Sequence, residues 1–173
     1  RSQLIPYAKK LILQTVALHS YDEVKLVLLY NESDEDDLSF IRWLPHTMNN
    51  EKTTRYIATN IDEAKELSAS LDVIIEYRKT VDINKLADET PYFLIICLDK
   101  ELASKTDCVR RVLEHKDNLN FTVLSLFEQL KDLPKECTAV VELNSHVTGN
   151  MTLIGDVSDP PIPFFIDSPQ QID

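Results

Sequence analysis

Two runs, 24–30 (VKLVLLY) and 91–99 (PYFLIICLD), limit most what this chain can fold into. Each is of strand length, well short of the roughly 18 apolar residues that a membrane-crossing helix needs. Neither alternates polar with apolar along its length. Each therefore predicts a strand buried on both faces, as in a parallel sheet covered by helices. Helical periodicity recurs around them. Leu4, Ile5, Ala8, Leu11, Ile12, Thr15 and Val16 mark a helix over 4–18, with Pro6 confined to its first turn. Asn60 or Asp62 opens a long helix whose Ala64, Leu67, Leu71, Ile74 and Ile75 form one stripe. Residues 55–59, 121–127 and 138–143 read as further strands, and 106–115 as a helix. The alternation predicts an α/β fold: a mostly parallel, Rossmann-like sheet flanked by helices, in a single domain over 1–173. The tail, MTLIG and PFFID around the turn-rich DVSDPPIP, reads as a terminal hairpin or edge strands.

Glycine narrows the chemistry. The chain holds two, Gly149 and Gly155. Loops that wrap phosphates rely on glycine for positive φ and close backbone approach. Neither GxGxxG nor GxxxxGK[ST] can be written with this pair, so no glycine-rich phosphate cradle is present.

Charge narrows the partners. Acidic residues outnumber basic ones 29 to 18, for a net charge of −11. Such a chain is repelled by a phosphate backbone, and it carries no basic stripe to offset this, so nucleic acid is not an expected partner. Cys97, Cys108 and Cys137 are odd in number and widely spaced, which predicts reduced thiols, with Cys97 as an inert core residue. The chain starts at Arg1 without a methionine or a signal-peptide pattern, and reads as a piece of something longer.

Candidate reactive groups are few. Asp99 follows an apolar strand, where doubly wound sheets bind ligands and where a carboxylate holds magnesium in nucleotide-binding proteins. An aspartate is equally a good turn residue at a strand end. The acids of ESDEDD, 32–37, stand at the start of a helix predicted to run from an Asn31 or Ser33 cap to Leu44, where they oppose its positive end. His19, His46, His115 and His146 show no ligand spacing, and HExxH, CxxC and GxSxG are all absent.

That helix must stop before Pro45, because the residue ahead of a proline is pushed out of the α region. Phe40, Ile41, Trp43 and Leu44 cover more of its circumference than one core-facing stripe requires. Trp43 is the only tryptophan in the chain, and tryptophan is enriched at interfaces. The segment Arg42, Trp43, Leu44, Pro45, His46 is therefore either a helix end packed on the core or a docking surface.

The pattern LILQTVALHSYDEVKLVLLY, followed by a helix and RWLPH, resembles the membrane ATPases of type VII secretion systems, the EssC/EccC group of FtsK/SpoIIIE type. The match lies on Leu11 to Gln14, His19, Ser20, Asp22, Val24 and Arg42 to His46, and extends over about 4–99. It implies a degenerate, P-loop-NTPase-like domain between a membrane-proximal stalk and the first motor domain, on the cytoplasmic face of the bacterial membrane. ATP and magnesium would then belong to the motor domains of the full-length protein, with no cofactor in this domain. Implied partners are the adjacent motor domains and stalk, other secretion-machinery subunits and secreted effector proteins. Two alternatives stand beside this coupling role: a vestigial nucleotide or magnesium site at Asp99, and a docking site for secreted substrate.

Overall fold

The structure is a computed structural model, described here for residues 2–86, 88–155 and 160–166. A four-stranded parallel sheet forms its centre, in the order β2-β1-β3-β4, from β1 (Val24–Leu29), β2 (Ile57–Ala58), β3 (Tyr92–Cys97) and β4 (Phe121–Ser125). β1 and β3 are paired along their whole lengths, Val24 opposite Tyr92 and Leu29 opposite Cys97. As central strands they bury both faces, which is why their sequences show no polar alternation.

The period of two along each strand divides the core into two layers. Val27, Leu29, Phe93, Ile95, Cys97 and Phe121 face α3 (Ile61–Thr80), α5 (Lys100–Ser104) and α6 (Asp107–Glu114). Leu26, Leu28, Tyr30, Ile96 and Leu98 face α1 (Leu4–Leu18) through Ile5, Ala8 and Ile12. The helix boundaries follow from their caps. Asn60 accepts from the Glu63 N–H at 3.0 Å to start α3, and a short helix, α4 (Ile83–Leu86), follows. Arg78, near the end of α3, is buried among carbonyls. It donates to Pro91 at 2.6 Å, Leu119 at 3.0 Å and Asn120 at 3.3 Å, and its guanidinium lies against the stacked Phe93 and Phe121 rings.

Two expectations change. The helix predicted to end at Leu44 is not continuous. A 3-10 turn (Glu32–Asp34), one α-helical turn, α2 (Glu35–Leu38), and a second 3-10 turn (Ser39–Trp43) follow one another. Asn31 does cap the first of them, accepting from Ser33 N–H at 3.0 Å. Leu44 is extended, as Pro45 requires, and a third 3-10 turn (Pro45–Thr47) follows. Five acids crowded into two turns favour a capped start without providing an apolar stripe long enough for a regular helix.

The second change is at the tail. Strand β5 (Ala139–Leu143) lies outside the parallel sheet and pairs antiparallel with β6 (Thr148–Leu153), which pairs in turn with β7 (Ile162–Phe165). The expected hairpin is thus one part of a three-stranded antiparallel sheet, and residues 156–159 of its predicted turn lie outside the described residues. Gly149 is required in β6: a Cβ there would press on the Phe164 ring and meet the Glu142 carbonyl oxygen at 2.8 Å. No helix among the described residues is long and apolar enough to cross a membrane.

Candidate functional site

The strand order reverses between β1 and β3, and the carboxyl ends of these strands are where doubly wound folds bind ligands. Here the two ends are drawn together. The N–H groups of Leu98 and Asp99 both donate to the Leu29 carbonyl, at 2.7 and 3.3 Å. Asp99 is half-buried and its Oδ1 accepts from Leu102 N–H at 2.7 Å, capping α5. The carboxylate thus serves the helix that starts beside it. Among the described residues no group of three or more His, Cys, Asp or Glu side chains is placed to hold a metal ion. Cys97 and Cys108 are buried free thiols, and burial pushes both up, Cys108 to about 11.

The Trp43 segment has a different geometry, built from several elements packed along β1, from His19 ahead of the strand to Tyr30 just after it. Its backbone is held at nearly every residue. Arg42 Nε lies 2.7 Å from Glu35 Oε1, and Glu35 Oε2 accepts from the Tyr30 hydroxyl at 2.7 Å. Burial, then that hydrogen bond to the Glu35 carboxylate, pushes the Tyr30 phenol up to about 12. Arg55 donates to the Arg42 carbonyl. Thr47, fully buried, donates from its hydroxyl to the Leu44 carbonyl at 2.9 Å and the Ile41 carbonyl at 3.2 Å. His46 is buried as well, and its Nε2 donates to the His19 carbonyl at 2.9 Å. A carbonyl only accepts, so Nε2 carries the proton, and among the described residues the buried Nδ1 has no hydrogen-bond partner. The Tyr21 ring meets the His46 ring edge-on, with centroids 6.5 Å apart.

The five residues singled out from sequence therefore divide. Ile41, just before them, and His46 are buried in the core, and Leu44 is half-buried. Arg42 and Pro45 are exposed, and Trp43 is 87% exposed, so core packing does not account for its indole. A cavity of about 200 Å³ opens beside it, bounded by Tyr21, Lys25, Arg42, Trp43 and Lys52. Lys25 is the residue that sequence reasoning passed over. It interrupts an apolar strand, and a strand buried on both faces has to bury its lysine too; the residue is 2% exposed.

No family model matches this chain. No solved structure matches it either. Curated relatives do. The ESX secretion system protein EccC of Geobacillus thermodenitrificans is 21% identical over 145 residues, 84% of this chain. The type VII secretion system protein EssC of Staphylococcus aureus strain NCTC 8325 is 18% identical over 156 residues, 87% of this chain. The chain spans about 10% of the length of each of these relatives. Its likeness to the EccC and EssC proteins of type VII secretion, carried in the sequence by the His19 and Trp43 motifs, is supported by these relatives over most of the chain.

Proposed function

We propose that this chain is a non-catalytic, ATPase-like module of a type VII protein secretion motor. It couples a membrane-proximal stalk to downstream ATPase domains at the cytoplasmic face of the membrane, and so supports the export of small effector proteins. ATP and magnesium act in those downstream domains. The relatives named above support the secretion role. The absence of a glycine-rich phosphate loop from the sequence and the use of Asp99 as a helix cap support a non-catalytic one.

The observation that carries the reading is Trp43, 87% exposed on a segment whose neighbours are buried or hydrogen-bonded. An exposed aromatic on a fixed backbone beside a cavity is a common anchor of a protein interface. The test is binding of this chain to a separately produced downstream ATPase segment of the same protein. Trp43→Ala is expected to weaken it by about tenfold or more, a typical loss for an interface anchor, with the fold intact. Undiminished binding would remove Trp43 from the interface. Titration with ATP and magnesium is expected to leave the melting temperature unchanged. A saturable rise that disappears in Asp99→Ala would instead support the nucleotide-site alternative.

A further inference from the structure

The cavity beside Trp43 has a buried cation in its wall. The Lys25 side chain rises from β1 with its Nζ 5.3 Å from the centroid of the Tyr21 ring. Among the described residues it forms neither a hydrogen bond nor an ion pair; Asp22 and Glu51 act on it only through their longer-range fields. Burial lowers its pKa, and those two carboxylates offset part of that effect. A cation enclosed this way is costly unless an anion joins it. Arg42 and Lys52 stand at the same cavity, so three basic side chains converge on one opening of a chain whose net charge is −11. Arg42 is already paired with Glu35, whereas among the described residues the buried Lys25 meets the Tyr21 ring and no carboxylate within ion-pair distance.

Size decides what class of anion enters. Pockets for drug-sized ligands hold about 300–1,000 Å³, and this one is about 200 Å³. That suits a side chain better than a nucleotide. Its rim is apolar where Trp43, Leu44 and Pro45 stand, so the carboxylate should arrive next to an apolar residue.

We propose that this cavity receives an acidic side chain from a partner protein, an Asp or Glu carboxylate set on Lys25 while the residue beside it lies against the Trp43 indole. The proposal rests on the docking reading of Trp43 and adds the chemistry of what docks there.

Trp43, as the sole tryptophan, reports on its own site. The experiment titrates the intact chain with capped hexapeptides carrying one glutamate between leucines, and with the same peptides carrying glutamine instead. The readouts are Trp43 emission and the Lys25 pKa followed by NMR of the labelled Cε. The expected result is a saturable emission change with the glutamate peptide at millimolar concentration, at least fivefold weaker with glutamine, and a rise in the Lys25 pKa on binding. Lys25→Met is expected to fold and to lose the preference for glutamate, whereas Lys25→Arg keeps it. Equal response to both peptides, abolished by Trp43→Ala, would overturn the carboxylate while leaving the docking surface standing. No response to either peptide, or a response to inorganic phosphate as strong as to the glutamate peptide, would overturn the proposal. So would emission that depends on protein concentration alone, which would identify a second copy of the chain as the occupant.

Discussion

His46 donates from Nε2 to the main-chain carbonyl of His19 at 2.9 Å, across 27 positions of sequence. The two motifs that carry the family likeness are thus one structural unit, joined by a buried ring. His46→Ala removes that hydrogen bond and leaves a void beside Tyr21. The loss of stability expected in urea unfolding is about 2 kcal/mol. His46→Gln, which keeps a donor, should recover part of it.

Ile41 and Trp43 lie two residues apart and should respond in opposite ways. Ile41 is fully buried against α1 and β1, so Ile41→Ala is expected to cost about 2–5 kcal/mol. Trp43→Ala should stay within about 0.5 kcal/mol of wild type, as surface substitutions do. A loss of several kcal/mol at Trp43 would mean that the indole is a packing residue after all.

Asp99 permits a cleaner distinction between helix cap and metal ligand. Asp99→Ala should destabilise by about 1 kcal/mol, the usual cost of a lost N-cap, and Asp99→Asn should be nearly neutral. Neither variant should change its melting temperature on adding magnesium. A magnesium-dependent difference between Asp and Asn would identify the carboxylate as a ligand.

Arg78 is predicted to be intolerant of a same-charge exchange. Its planar fork reaches three carbonyls at once, from Pro91 to Asn120, and stacks on two aromatic rings. A lysine ammonium cannot reproduce that geometry. Arg78→Lys should cost about 2 kcal/mol or more in chemical denaturation.

The Tyr30 phenol gives the fold an alkaline limit. Its pKa rises from 10.0 to about 12, first through burial and then through the hydrogen bond to Glu35. The unfolded chain therefore ionises first. Stability from this group is complete below pH 10 and is lost as pH rises toward 12, by on the order of 2 kcal/mol. Tyr7, Tyr56 and Cys108 shift in the same direction and add to the slope. Lys25, lowered by burial, works against it as it loses its proton. Tyr30→Phe should show a visibly flatter stability profile across that window.

What sequence reasoning could reach depended on how local each cause was. The strands β1 and β3 and the helices α1 and α3 were legible because burial, periodicity and caps are written in consecutive residues. The interrupted 32–47 segment was not, because its turns are held by side-chain bonds to residues outside it, Arg55 and His19 at 13 and 27 positions' separation and Tyr30 just ahead of it. The same holds for β5, whose pairing with the tail depends on a partner strand and not on its own composition. At the candidate site, Trp43 was recognisable as unusual, but whether its indole faced the core or water depended on that distant scaffold. Lys25 was readable in principle: a lysine inside VKLVLL has nowhere polar to go.

The fixed backbone around Trp43 has a consequence for entropy. Ordering a flexible segment costs about 1–2 kcal/mol per residue, so five free residues from Arg42 to His46 would cost on the order of 5–10 kcal/mol on association. Here the Thr47, Arg55 and His46 hydrogen bonds have already settled that conformation. A partner has only the two χ angles of one indole to arrest, a cost of roughly 0.5–1.5 kcal/mol. The loss of overall translational and rotational freedom then remains as the main entropic cost of a contact at Trp43, with little added for ordering the segment.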